Sequence, residues 1–250
     1  MATNTTFLSL SKPDYSDPAD VTVINGNFDK IDAAIGQRSR VENLLVNPDF
    51  RQSQVVNQRG WTSGTTLATG GIFIDCWHGA TNKAVTPTIS ESGVLADGEI
   101  YQVLSKEGLV GQTVTAAIWL SDGSVIAKSG VIPEDGTWAN FINTASGGTM
   151  LMVTNTSEKF LRFRITCGSL EVKCAALYPG SYRADNVAAF VPNGYTSELL
   201  SCQKYYHLYG TSAARPSHGK DCVPHMIADA PTQGTVSIGG KTYYYNSADL

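Results

Sequence analysis

The sequence predicts a mainly β protein built around an antiparallel sandwich, and three observations support that fold class. Its residues are 42% hydrophobic and only 16% charged, against the roughly 25% charged usual in soluble domains. Stretches with a hydrophobic period of two recur between about residues 41 and 190, as expected of strands buried on one face. Glycine-containing turn pairs separate them and no convincing helix interrupts them, which favours two packed antiparallel sheets.

The charge of the chain argues against electrostatic capture of a partner. In 250 residues, 18 Lys and Arg against 22 Asp and Glu leave a formal net charge of −4, so no basic footprint for nucleic acid or an anionic membrane is present. No apolar run approaches the roughly 18 residues of a membrane span, and the first residues do not resemble a secretion signal. We expect neither nucleic-acid binding nor membrane insertion.

Residues 1–20 are predicted to form an extended arm. They are polar, contain Pro13 and Pro18, and offer too few apolar side chains for a core of their own.

Residues 21–40 are predicted to form a short coiled-coil helix. Its seam has apolar residues at spacings of three and four: Val21, Ile24, Phe28, Ile31 and Ile35. Asp20 is placed to cap the start of the helix and Gly36 to end it. Isoleucine at both kinds of seam position favours three or more strands, so these five residues are the predicted trimer interface. The alternative is one amphipathic helix lying on the sheet of its own chain.

Residues 41–192 are predicted to form the sandwich. Leu161, Phe163 and Ile165 alternate with Arg162 and Arg164, the pattern of a strand with one buried face. The segments 113–120 and 150–155 are further strand candidates. Four turn pairs lie between such segments: Asp122-Gly123, Asp135-Gly136, Gly147-Gly148 and Pro179-Gly180.

Residues 193–250 are predicted to form a helix followed by a hairpin. The helix begins at Thr196 or Ser197, with Glu198 near its positive end. It runs for about three turns and presents four residues on one face, which should pack on the sandwich: Leu199, Cys202, Tyr206 and Tyr209. Gly239-Gly240 lies between two β-prone arms and indicates the hairpin at the C-terminal tip.

The cysteines indicate folding in a reducing compartment. They are odd in number and widely scattered, so we interpret them as free thiols: Cys76, Cys167, Cys174, Cys202 and Cys222.

The sequence favours neither a metal site nor a catalytic pair of carboxylates. His207, His218 and His225 follow no familiar metal-ligand spacing, although three chains meeting at one axis would turn a single histidine into three ligands. A glycosidase needs two carboxylates across a cleft, and the available pairs, Glu134 with Asp135 and Asp97 with Glu99, lie in turn-like segments. We therefore predict no catalytic residue, no enzyme, no cofactor and no metal site, and leave a structural calcium ion open.

Aromatic residues in polar segments remain as binding candidates. Sugar rings stack their C–H faces on Trp and Tyr, while their hydroxyls pair with polar side chains. Trp138 follows the Asp135-Gly136 turn and Trp61 follows a glycine in a polar loop, although core or rim packing is the usual role of a sandwich tryptophan. Tyr243 and Tyr245 share one face of the last strand, where strand packing and a contact surface are both open interpretations.

Several segments resemble bacteriophage tail-fibre and receptor-binding proteins. LSLSKPDYSDPADVTVINGNFDKIDAAIG at the N-terminus is similar to the opening of such fibres. NLLVNPDFRQSQVVNQRGW at 43–61 and FIDCW at 73–77 resemble the first strands of a jelly roll similar to carbohydrate-binding modules. SLEVKCAALYPGSY at 169–182 and ELLSCQKYYHLYG at 198–210 are similar to the last jelly-roll strand and the helix after it.

The resemblance implies a homotrimeric adhesin of the virion tail. Residues 1–20 would be the attachment arm that contacts other tail or baseplate proteins, residues 21–40 the trimerising helix and residues 41–192 a jelly roll. The partner outside the virion would be a bacterial surface polysaccharide. Such a protein is assembled in the host cytoplasm, which agrees with free thiols.

Two other functions stay open at this point. The first is a purely structural virion fibre or connector of the tail base, neck or head, whose sandwich contacts only protein. The second is a polysaccharide depolymerase.

Overall fold

A computed structural model describes residues 3–5, 10–12, 20–38, 42–50, 57–209, 231–238 and 240–248. The chain divides into two compact units, Met1–Val41 and Glu42–Leu250. The first unit contains a short helix, and the second contains antiparallel sheets around one hydrophobic core. The predicted mainly β fold class is therefore confirmed.

The first unit is a helix with a small strand pair. The strands β1 (Thr3–Asn4) and β2 (Ser11–Lys12) are antiparallel, so the arm is not extended over its whole length. The helix α1 spans Val21–Arg38. Asn27 of this helix joins the two parts, because its side-chain oxygen accepts from Ser11 N at 2.9 Å and its amide donates to Ser11 O at 2.8 Å.

Asp20 caps α1 as predicted. Its Oδ1 accepts the backbone N–H of Thr22 at 2.8 Å and the Thr22 hydroxyl at 2.6 Å. These hydrogen bonds favour the ionised carboxylate and lower the pKa of Asp20. The helix continues two residues beyond Gly36, where we expected it to end.

Two antiparallel sheets make up most of the second unit. The first has the strand order β10-β11-β12-β7-β4-β3, and the second has the order β5-β6-β13-β8-β9. The strands of the first sheet are β3 (Ile72–Ile74), β4 (Trp77–Gly79), β7 (Glu99–Ser105), β10 (Ala139–Ser146), β11 (Thr149–Asn155) and β12 (Phe160–Thr166). Those of the second are β5 (Pro87–Ser90), β6 (Gly93–Ala96), β8 (Thr113–Leu120), β9 (Val125–Val131) and β13 (Val172–Pro179).

Alternating sequence places one face of each strand in a shared core. Leu161, Phe163 and Ile165 of β12 are fully buried, and Arg162 and Arg164 between them point to the outer face, as their pattern predicts. The predicted strands at 113–120 and 150–155 correspond to β8 and β11.

Both sheets contribute to the core, as in a β-sandwich. Trp77 and Phe163 of the first sheet and Ile118 and Leu177 of the second are fully buried in one cluster. The Trp77 ring packs against Phe163 with centroids 6.2 Å apart and against Phe50 at 5.0 Å. Burying each such side chain stabilises the fold by about 1.5–3 kcal/mol.

A bulge in the edge strand β10 changes which face of the sheet its side chains point to. The register shifts between Asn140, which pairs with Thr154, and Ile142, which pairs with Val153. The extra residue, Phe141, interrupts the alternation, so Ile142 is buried in the core although Asn140, two residues earlier, lies on the outer face.

A helix and a third sheet complete the second unit. Helix α2 spans Tyr195–Gln203, and the sheet order is β14-β16-β15, with β14 (Tyr206–Leu208), β15 (Thr232–Ile238) and β16 (Lys241–Ser247). The predicted hairpin is confirmed, since Ile238 pairs with Lys241 and Gly240 adopts φ 75°. Gly239 lies outside the described residues.

The predicted three-turn helix is wrong in its second half. Tyr206 and Tyr209 do not share a helix face with Cys202, because the helix ends at Gln203 and Tyr206 begins β14. Tyr206 pairs with Ser247 of β16, and Tyr209 N donates to Tyr244 O at 2.8 Å. Backbone pairing with a distant strand thus replaces the helical hydrogen bonds that the local period favoured.

Helix α2 packs on the sandwich through buried polar and thiol groups. Glu198, in its first turn, accepts from Asn47 N and from Asn193 Nδ2, the latter at 2.8 Å. The thiols of Cys202 and Cys76 hydrogen-bond each other in the interior. In the described part of the chain Cys76, Cys167, Cys174 and Cys202 form no disulfide, and Cys222 lies outside it. Neither α1 nor α2 combines the length and apolarity that a membrane crossing needs.

Candidate functional site

The outer face of the six-stranded sheet carries a row of aromatic rings and one arginine. The His78 ring stacks on Tyr101 with centroids 4.9 Å apart and planes 12° apart. The Arg162 guanidinium carbon lies 4.7 Å from the Tyr101 centroid and 5.4 Å from that of Trp138. These four side chains come from β4, β7, β12 and the residue before β10, and we call them the aromatic–arginine row.

Trp138 lies at the solvent-exposed end of the aromatic–arginine row. Its side chain is 56% exposed, whereas Tyr101 at the other side of Arg162 is 4% exposed. Trp138 precedes Asn140 by two residues, so strand alternation places both on the outer face. The loop before it is anchored from below, because Asn155 Nδ2 donates to Thr137 O at 2.8 Å and to Asp135 O at 2.6 Å. An exposed ring on an anchored loop is suited to stacking against a ligand.

Polar side chains surround the row. Arg164 donates from Nε and Nη2 to Glu99 Oε2, at 2.9 and 2.5 Å, and from Nη1 to Thr154 Oγ1 at 3.2 Å. The Thr154 hydroxyl in turn donates to Asn140 Oδ1 at 2.6 Å. Burial raises the pKa of the Tyr101 hydroxyl, an effect that the positive charge of Arg162 partly offsets.

A cleft of about 470 Å³ opens where β7 begins and β12 ends. Asp97 and Glu99, one of the two carboxylate pairs considered and not favoured as catalytic from the sequence, both line it. Each is already held by protein donors, since Thr86 N donates to Asp97 Oδ1 at 2.7 Å and Arg164 binds Glu99. Lys83 Nζ donates to Asp97 O at 2.7 Å. Asp97 and Glu99 therefore act as hydrogen-bond acceptors for the protein in the wall of the cleft.

The second carboxylate pair lies at the opposite end of the sheet. Glu134 and Asp135 belong to the loop before Trp138, and the backbone oxygen of Asp135 accepts from Lys106 Nζ at 3.0 Å.

Trp61 is built into the rim of the core. Its ring meets Phe73 edge to face with centroids 5.3 Å apart, and its backbone N–H donates to Asn57 Oδ1 at 3.1 Å. Because Phe73 lies on β3 and Trp138 precedes β10, the two tryptophans lie at opposite edges of the six-stranded sheet. The structure therefore does not bring them into one site.

Tyr243 and Tyr245 lie on the third sheet. Both are half-buried, and the Tyr245 ring packs on Tyr206 with centroids 5.0 Å apart. The Arg59 guanidinium lies 3.8 Å from the Tyr206 centroid, so Tyr245 belongs to a stack that holds the third sheet against the loop at 57–61. Tyr243 pairs with Val236 across the hairpin.

The predicted seam of α1 is exposed where it is described. The exposed fractions are 67% for Val21, 46% for Ile24 and 62% for Phe28, and Ile31 is half-buried. The side chain of Ile35 lies outside the described part.

The histidines form no metal cluster in the described residues. The described part contains no group of three or more His, Cys, Asp or Glu side chains able to hold a metal ion. His207 contributes its backbone to β14, while its side chain and all of His218 and His225 lie outside the described part.

Local sequence patterns do not predict most of the aromatic–arginine row. The alternation in β12 did place Arg162 on an outer face, which is the one available signal. Nothing local marks Tyr101 or His78 as partners of Trp138, because they are brought together by the pairing of strands far apart in the sequence.

Comparisons of this chain with protein-family models, with curated proteins and with solved structures give no match.

Proposed function

We propose that the protein is a virion tail-fibre or receptor-binding protein, a homotrimeric adhesin that binds a polysaccharide of the host bacterial surface. Its sandwich is a jelly roll, its N-terminal arm attaches to other tail proteins, and it is assembled in the host cytoplasm. It binds its glycan without cleaving it. The observation that carries the glycan-binding part is the exposed Trp138 ring beside Arg162, with Asn140 and Thr154 on the same sheet face.

The chemistry of this face matches that of a sugar. The Trp138 ring offers an apolar surface to the C–H groups of a pyranose, and the Asn140 amide and the Arg162 guanidinium near it are partners for the sugar hydroxyls. The anchored loop limits the conformational entropy lost on binding. Because one such contact is weak, several copies on one particle are needed for firm attachment, and multivalency raises avidity by roughly 10²–10⁴.

The exposed seam of α1 supports self-association. Val21, Ile24 and Phe28 follow heptad spacing, and all three are exposed in a single chain. Burying them against the same residues of two other copies removes this apolar surface from water, and isoleucine at d positions suits three strands.

Glycan binding is tested with purified full-length protein on bacterial cell-wall and capsule preparations. We expect Trp138→Ala to weaken binding by about tenfold or more, with little change in the unfolding midpoint because the ring is mostly exposed. The matched control is Tyr195→Ala, which removes a 45% exposed ring at the start of α2 and should leave binding unchanged.

Two outcomes separate the competing functions. No binding by a correctly assembled trimer to any preparation would indicate a purely structural virion component. Release of reducing ends from a bound polysaccharide would indicate a depolymerase.

A further inference from the structure

We infer that the glycan bound at the aromatic–arginine row carries a negatively charged group, a carboxylate or a phosphate, and that Arg162 recognises it. This inference rests on the proposed glycan binding and goes further, because it names the class of polysaccharide.

The two outward arginines of β12 are in different electrostatic states. Arg164 is neutralised by Glu99, with two of its nitrogens on one carboxylate oxygen. Arg162 contacts the rings of Tyr101 and Trp138, and within the described residues no carboxylate lies within 4 Å of it and no hydrogen bond uses its guanidinium. Of the two outward arginines of β12, Arg162 therefore carries the uncompensated positive charge.

The two rings determine what Arg162 can still bind. Arginine commonly stacks its guanidinium plane on aromatic rings, and a stacked guanidinium keeps the N–H groups at its edge available. These donors form a planar fork whose spacing matches the two oxygens of a carboxylate or phosphate. A sugar hydroxyl accepts only one such bond, and charge-assisted hydrogen bonds are roughly twice as strong as neutral ones.

The position of Arg162 joins charge recognition to stacking. A sugar ring lying on the exposed Trp138 face would present a substituent to Arg162, whose guanidinium carbon is 5.4 Å from the centroid of that ring. The neighbours that remain, Asn140 and Thr154, are neutral, and the nearby negative charge of Glu99 is paired with Arg164. The exposed carboxylates of Glu134 and Asp135 belong to the loop that precedes Trp138, so the anionic group is expected on the Arg162 side of the ring.

The test uses three polymer probes and the full-length protein. Polygalacturonate and a glycerol-phosphate teichoic acid supply carboxylate and phosphate, and carboxyl-reduced polygalacturonate is the neutral counterpart of the first with the same linkages. We expect at least one anionic probe to bind about tenfold or more tightly than the neutral polymer, and to lose affinity as salt is raised. The difference between the two anionic probes identifies which anion is preferred.

Variants distinguish charge recognition from simple support of Trp138. Arg162→Gln should remove the preference for the anionic probe, whereas Arg162→Lys should retain part of it because the charge remains. Arg183→Gln, at an exposed arginine away from the row, is the control and should change nothing. If Arg162 only supports the ring, Arg162→Gln will weaken the anionic and neutral polymers equally.

The outcomes separate this inference from the proposed function. Equal binding of the anionic and neutral polymers overturns the inference and leaves glycan binding standing. Binding to cell-wall preparations without binding to any of the three probes likewise overturns the inference about an anionic group and leaves glycan binding standing. Failure to bind any preparation or probe contradicts both.

Discussion

Lys106 Nζ donates a 2.8 Å hydrogen bond to Asn155 Oδ1 inside the sandwich, where both side chains are almost completely buried. The same nitrogen donates to Asp135 O at 3.0 Å and to Ser157 O at 3.3 Å. Asn155 holds the loop that precedes Trp138, so this polar cluster links the interior of the protein to the open end of the aromatic–arginine row.

We predict that Lys106→Met destabilises the protein and also weakens glycan binding. The substitution keeps the volume but leaves buried oxygens without their donor, which lowers the free energy of unfolding by about 2–4 kcal/mol. Urea denaturation measures this, with Lys204→Met at an exposed site as the control. Unchanged stability would show that water replaces the amine. Unchanged binding in a destabilised but folded variant would show that the Lys106 cluster does not position Trp138 for binding.

The α1 seam gives a prediction about assembly. Replacing Ile24 and Ile31 by Asn places polar groups in a buried interface, so the mass measured by light scattering should fall from three copies to one. Asp29→Asn, on the exposed side of the same helix, should keep the trimer. A trimer that survives the double substitution would be held by another part of the molecule.

Buried thiols predict a loss of stability in alkaline solution. The hydrogen bond with Cys76 and burial raise the pKa of Cys202 above its ordinary range, and burial raises the pKa of Cys167 to about 11. A thiol whose pKa is higher in the folded than in the unfolded state contributes stability in full when the pH is below its unfolded-state pKa. This contribution is lost as the pH rises towards the folded-state pKa. The free energy of unfolding should therefore fall above about pH 8.5, by up to about 1.4 kcal/mol per pH unit for each thiol.

Cys202→Ala isolates this effect. The variant should be less stable at neutral pH because it leaves a cavity, but it should lose less stability between about pH 8.5 and 10 than the parent protein. Urea denaturation across that range gives both slopes. Identical slopes would contradict a raised pKa for Cys202.

The close approach of Gly234 and Tyr245 gives a prediction about the third sheet. A Cβ at position 234 would lie 2.5 Å from Tyr245 Cζ, and the ring cannot move freely because it packs on Tyr206. Gly234→Ala should lower the free energy of unfolding by about 1–3 kcal/mol. Gly26→Ala in α1 is the control, since a Cβ there meets no atom within 4 Å. Equal stability of both variants would show that the ring can shift without loss.

The sequence alone determined several of the strands, the alternation of buried and exposed side chains in β12, the cap of α1 and the C-terminal hairpin. The alternation in 161–165, the cap at Asp20 and the turn at Gly240 are local patterns, and local backbone geometry converts them directly into structure. Only the tertiary structure determined which elements pack or pair with one another. Tyr206 lies in a strand because its backbone pairs with β16. Lys106 is buried because its amine donates to three oxygens from other parts of the chain. Arg162 acquired Tyr101 and Trp138 as neighbours because contacts between strands distant in the chain depend on sheet order, which a period of two does not encode.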